Sequence, residues 1–330
     1  MRSNDQLIYL PVQTKISCLF EIEFSETEKK VIAIDKLHKK VLKLPSDIIS
    51  VNPTIKIDGT CCLIRNGQLY KRYDRKLNNK GSLKNKNFQK QLNAQNGNID
   101  NKDDVLQFDV NTDFKEGPSG WIPCDSIREL FETQQAHVSS QHLVGWVPVN
   151  VNDAADKWHT TAIVTSKIDN EKYATLLIPY YDEMAQLAKF RVELRKISEL
   201  EGQTLELIGS KINGNVYNFP KQEKQHFLCP HGWASYLWDE KNEFLQDVKK
   251  ITLESLKRWF EDPNIQMSKS EGIVFHINYK ENEQSRTLLL KVHRDHLNLK
   301  WPTQGCDPQF NYEPCWLEEL EKLKEQYKCC

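Results

Sequence analysis

Lys56 is the residue of this sequence best suited to covalent chemistry. It opens the stretch Lys56-Ile57-Asp58-Gly59, in which an apolar segment ends at a tight Asp-Gly turn. A lysine amine attacks phosphorus only when it is unprotonated, and an ordinary pKa of about 10.4 prevents this in water. Burial or a neighbouring cation disfavours the ammonium form, and we expect such tuning here. The alternative is a surface lysine on a hairpin, which four residues alone favour because short motifs recur by chance.

Three later residues could assist an attack by Lys56 on an α-phosphate, which would form a phosphoramidate. Glu271 comes two residues before the apolar run 273–275, and a carboxylate there could hold Mg²⁺ against a triphosphate. Lys291 and His293 alternate at the end of another strand, so they share a face suited to a polyanion. The ordinary alternatives are a strand-entry glutamate and a solvated basic edge.

Glu206 and a basic segment are further candidates. Glu206 lies inside Leu205-Glu206-Leu207-Ile208-Gly209, where it either faces solvent or contacts a ligand, and the residues leave both open. From Lys71 to Lys90 there are eight basic residues against one acidic residue. Such a segment could bind nucleic-acid phosphates through counterion release, although a charge run is commonly a solvated segment.

A hairpin over residues 55–73 must position Lys56. Its turn is Asn66-Gly67, a pair that favours two central residues at positive φ. Centring the hairpin on that turn brings Arg72 and Arg75 back toward Lys56.

The rest of the chain indicates a mixed α+β fold dominated by antiparallel hairpins, without regular strand–helix alternation. Gly120-Trp121-Ile122-Pro123 and Gly145-Trp146-Val147-Pro148 read as aromatic anchors for a loop or edge strand. The composition of 78–101, rich in Asn, Lys and Gln, predicts a mobile loop. Strands are predicted at 7–24, 158–164, 173–179, 205–208, 272–277 and 287–292, and helices at 182–200, 247–261 and 317–327.

Composition limits the classes of function. The chain has 330 residues and a net charge of −1, so nucleic-acid contact would need a local basic patch. Nine cysteines are scattered without paired Cys-x-x-Cys motifs, so we expect reduced thiols and no zinc site. There is no apolar run of membrane-span length, and the N-terminus does not have the charged-then-apolar form of a signal peptide. We therefore expect an intracellular protein, cytoplasmic or nuclear, without membrane contact.

The order of these motifs resembles that of the covalent nucleotidyltransferases, which are ATP-dependent DNA and RNA ligases and mRNA capping enzymes. More specifically, the chain is similar to the animal-type ATP-dependent 5′–3′ RNA ligases over residues 56–302. The matching stretches are Lys56–Cys62, Asp74–Lys76, Trp121–Pro123, Gly145–Val149, Thr204–Gly209, Asn213–Asn215, Pro230–Gly232, Trp259–Asp262, Glu271–Val274 and Lys291–Arg294.

The resemblance implies a reaction in three steps. Lys56 attacks ATP and releases pyrophosphate, AMP then moves to a 5′-phosphate of RNA, and a 3′-hydroxyl finally displaces AMP. The implied cofactors are ATP and Mg²⁺ or Mn²⁺. The implied partner is RNA with 5′-phosphate and 3′-hydroxyl ends, and we expect a monomer.

The resemblance also implies roles for individual residues. Glu206 would contact the ribose, Glu271 and Asp58 would hold the metal, and Lys291 would contact the α-phosphate. The motif arginine is Arg72 or Arg75. Arg72 fits the usual position just after the returning strand, and Arg75 fits the shared Asp-Arg-Lys sequence. The other nucleotide-binding positions are Ile55, Gly59, His293, and His226 and Phe227 as candidates for stacking on adenine.

The resemblance implies an ATP-grasp-like nucleotidyltransferase core of two antiparallel sheets with helices over residues 1–302. A family-specific insertion would span about 77–203, and a helical tail 303–330. Because only 39 residues follow Lys291, no appended OB barrel is expected. The chain departs from many ligases at Leu289, where they carry a second lysine in the final motif.

Three other functions compete with an RNA ligase. A capping-type guanylyltransferase is disfavoured because we expect no appended barrel, and a DNA nick ligase remains open. An inactive nucleic-acid-binding module is disfavoured because Lys56, Asp58, Glu206, Glu271 and Lys291 are all intact.

Overall fold

The chain forms two compact units. The computed structural model describes residues 10–94, 106–132, 137–182, 184, 187–232, 240–302, 305–308 and 310–329. The larger unit comprises Met1–Val12, Ile16–Gly67 and Asn150–Cys330, and the smaller unit comprises Gln13–Lys15 and Gln68–Val149. No helix among the described residues is long and apolar enough to cross a bilayer. The predicted division into 1–302, an insertion at 77–203 and a tail at 303–330 stays a prediction.

Strands dominate the described part of the chain. In chain order they are β1 (Ser17–Cys18), β2 (Phe20–Ser25), β3 (Lys30–Leu37), β4 (Ile48–Lys56), β5 (Thr60–Arg65), β6 (Gln68–Arg72), β7 (Arg75–Lys76), β8 (Phe108–Asp109), β9 (Ile122–Pro123), β10 (His137–Val138), β11 (His142–Leu143), β12 (Gly145–Pro148), β13 (Ile163–Thr165), β14 (Lys172–Asp182), β15 (Leu187–Lys196), β16 (Thr204–Gly209), β17 (His226–Pro230), β18 (Gly272–Glu281) and β19 (Gln284–His293).

The helices are fewer. They are α1 (Lys39–Leu42), α2 (Asn79–Ala94), α3 (Asp125–Glu132), α4 (Lys157–Thr160), α5 (Leu253–Glu261) and α6 (Cys315–Gln326). Helix α5 begins at a capping box, in which Thr252 and Ser255 satisfy each other's backbone amides. The helix predicted at 317–327 is confirmed by α6, and the one predicted at 247–261 is confirmed only from Leu253 onward, where α5 begins. The expected α+β class is confirmed as well, and the described strands close no barrel.

The first sheet of the larger unit has the order β1-β19-β18-β4. Strand β18 lies between β4 and β19 and pairs antiparallel with both, which confirms the hairpin predicted at 272–277 and 287–292. Gly272 is opposite Lys56 on one side and His293 on the other. A Cβ on Gly272 would collide with the Val292 carbonyl, so only glycine allows this close approach.

The second sheet of the larger unit places β16 between β5 and β17, and β14 next to β17. Strand β15 pairs with β14 along its whole length, so the helix predicted over 182–200 is wrong. Phe190, Val192 and Leu194 are buried and alternate with charged residues, which is the period of a strand. The strand predicted at 158–164 is wrong in its first half, because α4 precedes β13.

One hydrophobic core joins both sheets of the larger unit. It includes Ile273 and Phe275 of the first sheet, Leu177 and Phe227 of the second, and Trp316 of α6. Burying one such large apolar side chain contributes about 1.5–3 kcal/mol, so this core holds the strand ends near Lys56 in fixed positions.

The smaller unit contains the basic segment. Residues 79–94 form α2, so the loop predicted over 78–101 is wrong for this part, and 95–101 lie outside the described residues. Lys80 and Lys84 of α2 form ion pairs with Asp113, which is 1% exposed. These tertiary contacts and the good helix propensity of lysine and glutamine explain a helix that buries little apolar surface.

The two Trp-containing pieces meet in the smaller unit. Strand β12 pairs with β6 and β9, and Trp146 is opposite Ile122. The Trp121 indole donates to the Tyr73 carbonyl at 2.9 Å and occupies the space that a side chain at Gly145 would fill. The interpretation as an edge-strand anchor is confirmed for Trp121 beside β9, whereas Trp146 lies on β12, an inner strand between β6 and β9.

Candidate active site

Lys56 and His293 meet on one carboxylate. Both flank Gly272 across the first sheet, and Glu271 precedes that glycine. Lys56 Nζ lies 2.5 Å from Glu271 Oε2, and His293 Nε2 lies 2.5 Å from Glu271 Oε1. The register of three strands therefore assembles an amine, a carboxylate and an imidazole at one sheet end.

The hydrogen bonds of His293 fix its tautomer. The Asp295 backbone N–H donates to Nδ1 at 3.2 Å and caps the short 3₁₀ turn at 294–297. Because Nδ1 accepts, the neutral ring carries its proton on Nε2 and donates it to Glu271. His293 therefore fixes the orientation of the carboxylate that contacts Lys56.

The charge state of Lys56 follows from a balance between burial and nearby carboxylates. Burial lowers the pKa of the Lys56 amine, but the carboxylates of Glu271, Glu206 and Asp58 outweigh burial and raise it. Burial raises the pKa of Glu271, and Lys56 and His293 outweigh that effect and lower it. Lys56 is thus an ammonium ion in this state. The neutral amine expected for the attack stays a prediction, because it requires a neighbouring cation that offsets these carboxylates.

Asp58 is held by three groups that are distant in sequence. Its Oδ1 accepts from Asn213 Nδ2 at 2.7 Å and its Oδ2 from Trp301 Nε1 at 3.0 Å. Its backbone N–H donates to the Tyr217 hydroxyl at 2.8 Å. Burial and then the nearby Glu271 carboxylate raise the pKa of Asp58. Two carboxylates that repel each other in this way suit a bound divalent cation.

The Asp-Gly turn packs directly on β16. A Cβ on Gly59 would lie 2.6 Å from the Leu207 carbonyl, which explains the glycine. Asn213 also donates to the Gly59 carbonyl at 2.7 Å from the turn Asn213-Gly214, where both residues have positive φ. The predicted Asn66-Gly67 turn likewise has both residues at positive φ.

Glu206 does not face open solvent. Its side chain is 15% exposed, and its Oε1 lies 3.1 Å from His231 Nε2. On β16 it is opposite Cys61 of β5 and Cys229 of β17. Of the two alternatives that the sequence left open, a freely solvated Glu206 side chain is excluded, and its contact with a ligand stays a prediction.

A family model described as RNA ligase 1 matches residues 7–328 of this chain. The chain belongs to the RNA ligase 1 family. The RNA ligase 1 of Mus musculus is 33% identical, covering 92% of this chain and 85% of its own length. The proteins of that name from Pongo abelii and Danio rerio are 31% and 29% identical, each covering 88% of this chain and 82% of its own length.

Most predicted site residues of this RNA ligase 1 family member lie in the larger unit, and Arg72 and Arg75 lie in the smaller one. The two stacking candidates, His226 and Phe227, are in the larger unit but are enclosed by other residues. His226 is fully buried against Trp158 and shares a hydrogen bond of 3.0 Å with Thr161. Phe227 is fully buried in the hydrophobic core. Strand β17 is an inner strand covered on both faces, so neither ring presents a face to adenine. Ile55 is also a core residue.

The predicted cations occupy separate positions. Lys291 lies on β19 two residues before His293, opposite Val274 and Cys18. Arg72 forms an ion pair with Asp74 at 2.9 Å, and Arg75 donates to the Lys115 carbonyl at 2.6 Å and lies over the Trp121 ring. Both arginines are thus engaged within the smaller unit, and the choice between them stays open.

Four contacts of the site have no assigned role in the sequence prediction. They are Asn213, Tyr217, His231 and Trp301. Asn213 and His231 stand in the matching stretches Asn213–Asn215 and Pro230–Gly232, so only their partners were missing. Tyr217 and Trp301 contact Asp58 from 159 and 243 residues away, and no local pattern signals that.

Proposed function

We propose that this protein is an RNA ligase that joins 5′-phosphate and 3′-hydroxyl RNA ends through a lysyl-AMP and an RNA-adenylate, with ATP as substrate. The observation that carries the proposal is the shared Glu271 carboxylate. It holds the Lys56 amine at 2.5 Å, with the Asp58 and Glu206 carboxylates acting on the same amine. Membership of the RNA ligase 1 family supports the choice of RNA.

Lys56 must lose a proton before it attacks. The bond that forms joins Lys56 Nζ to the α-phosphorus. The bond that breaks joins the α-phosphorus to the oxygen that bridges to the β-phosphate, and pyrophosphate leaves with that oxygen. Glu271 and Asp58 offer the hard oxygen donors that Mg²⁺ or Mn²⁺ prefers, so we assign both to the metal. A metal bound there supplies positive charge that favours the neutral amine and opposes the charge of the triphosphate. Without a cation Glu271 keeps Lys56 as an ammonium ion. A cation held by Glu271 and Asp58 would offset that charge, and Lys56 would then give its proton to solvent before the attack.

The remaining residues would bind and orient the nucleotide. We assign the ribose to Glu206 and the α-phosphate to Lys291, with His293 orienting Glu271. Asn213 and Trp301 hold both oxygens of Asp58, so the carboxylate is preorganised. The surrounding fold is proposed to be an ATP-grasp-like nucleotidyltransferase core. The adenine contact is left unassigned, since His226 and Phe227 are buried.

Helix α2 is the proposed contact for RNA. Lys86 and Lys90 are exposed and four residues apart, so they lie on one face of the helix. Lys80 and Lys84, in contrast, both form ion pairs with Asp113. A pair of exposed lysines on a helix suits phosphate contacts without base recognition.

A labelling experiment tests the function. The protein is incubated with α-labelled ATP or GTP and Mg²⁺, and acid-resistant label on protein is measured for the wild type and Lys56→Ala. Label from ATP that depends on Lys56, followed by sealing of nicked RNA in preference to nicked DNA, supports the proposal. Label from GTP alone would favour a capping-type guanylyltransferase, and preference for DNA a nick ligase. No label from either nucleotide would favour an inactive binding module.

A further inference from the structure

Three side chains of different chemistry converge beside the candidate active site. The Cys61 thiol, the Glu206 carboxylate and the His231 imidazole place one ligand atom each within 4.8 Å of one another. Strand register explains the cluster: Cys61 is opposite Glu206 on β5, and His231 follows Cys229, the other partner of Glu206, by two residues. All three side chains are half-buried, so an ion from solvent can reach them.

The donor set has a definite metal preference. A thiolate, an imidazole and a carboxylate together suit Zn²⁺ and similar borderline-soft ions, whereas Mg²⁺ takes oxygen ligands. Three protein ligands would leave a fourth tetrahedral position for water. A thiolate and a carboxylate also balance the charge of a divalent ion.

Two further features of the cluster favour metal binding. Glu206 Oε2 is buried and has no hydrogen-bond partner among the described residues, although its other oxygen contacts His231. His231 Nδ1 lies 2.7 Å from Thr204 Oγ1, which accepts the Val12 backbone N–H at 2.7 Å. Metal-binding histidines commonly anchor their second nitrogen in this way, which here aims Nε2 at Glu206.

We propose that Cys61, Glu206 and His231 form a binding site for a Zn²⁺-class ion, distinct from the Mg²⁺ site assigned to Glu271 and Asp58. On binding, bonds form from the metal to Cys61 Sγ, a Glu206 oxygen and His231 Nε2. The Cys61 thiol gives its proton to solvent, so binding strengthens as pH rises. An ion there engages Glu206 and blocks its contact with the ribose, a consequence that rests on the proposed function. Zn²⁺ is thereby an inhibitor that competes with the nucleotide.

Direct metal binding tests the site without reference to activity. The full chain, freed of metal with a chelator, is titrated with Co²⁺, and the near-ultraviolet thiolate-to-cobalt charge-transfer band and the affinity are measured. Cys61→Ser and His231→Asn are expected to weaken binding more than about tenfold, and Cys61→Ser to abolish the band. The matched control is the double variant Cys329→Ser, Cys330→Ser, which removes two thiols elsewhere and is expected to bind like the wild type. Wild-type affinity and band in Cys61→Ser would overturn the proposal.

Inhibition separates this proposal from the proposed function. Excess Zn²⁺ is expected to suppress ATP-dependent labelling of the wild type and to spare Cys61→Ser. If Co²⁺ binds through Cys61 but ATP does not label the protein, the metal site is supported and the proposed ligase function is contradicted. If ATP labels Lys56 but Co²⁺ does not bind through Cys61, the ligase function is supported and the metal site is contradicted.

Discussion

His293 gives the sharpest prediction about how the candidate site is held. Its Nε2–H donates to Glu271 at 2.5 Å, and the carboxylate side chain is only 7% exposed. A hydrogen bond to a charged group contributes about 1.5–3 kcal/mol, and loss of it from a transition state slows a reaction about 10-fold to 150-fold. We expect His293→Ala to slow self-adenylylation by that factor, because Glu271 loses its fixed orientation toward Lys56.

The assay is the single-turnover rate of lysyl-AMP formation at saturating ATP and Mg²⁺. His293→Gln keeps an N–H donor and is expected to recover part of the rate. His296→Ala is the matched control, because its ring lies 5.4 Å from that of His293 and contacts Cys18 rather than Glu271. A His293→Ala rate within twofold of the wild type, or an equal loss in His296→Ala, would refute the reasoning.

Three other predictions concern separate parts of the molecule. Burial, and then the charge of His231, lower the pKa of His276 from 6.5 to about 4. The folded state therefore binds this proton less readily than the unfolded state, and the free energy of unfolding should fall by about 2 kcal/mol between pH 7.5 and pH 5. Measured with a chelator present, this component should vanish in His276→Leu. Trp301→Phe removes the donor to Asp58 Oδ2. We expect the rate of lysyl-AMP formation, measured in quenched time points, to fall about tenfold. Lys86→Ala combined with Lys90→Ala should reduce the steepness of log RNA affinity against log salt concentration by about 2 and leave the rate of adenylylation unchanged.

Each of these predictions has an outcome that opposes it. An unchanged pH dependence in His276→Leu would show that another group titrates. Trp316→Phe is the control for Trp301→Phe, because its indole N–H has no hydrogen-bond partner among the described residues; equal losses would point to packing. Equal loss of adenylylation and RNA sealing in the lysine double variant would assign α2 to the fold or the ATP site instead.

Sequence patterns predicted the parts of the fold that are determined locally. The β18–β19 hairpin follows from apolar strand residues, and the Asn66-Gly67 turn from two residues that tolerate positive φ. Residues 182–200 were mistaken for a helix because four apolar residues happened to match a helical period, whereas pairing with β14 decides for a strand. The composition of 78–101 did not predict helix α2, because the ion pairs that hold it involve Asp113, which lies outside that segment.

The site was predictable as a set of residues but not as an electrostatic system. Motif order brought Lys56, Glu271 and His293 into one proposal, and strand register places them together. The direction of the Lys56 pKa depends on a balance between burial and three carboxylates, which no spacing reveals. The cluster at Cys61 and Glu206 escaped for a similar reason, since its ligands come from different strands and form no cysteine motif.

The central claim is that Lys56 is the nucleophile, and intact-protein mass spectrometry tests it directly. After incubation with ATP and Mg²⁺, the wild type should gain the mass of one AMP, and peptide fragmentation should place that mass on Lys56. Lys56→Ala should gain none. No added mass on the wild type, or an AMP adduct that persists in Lys56→Ala, would contradict the account.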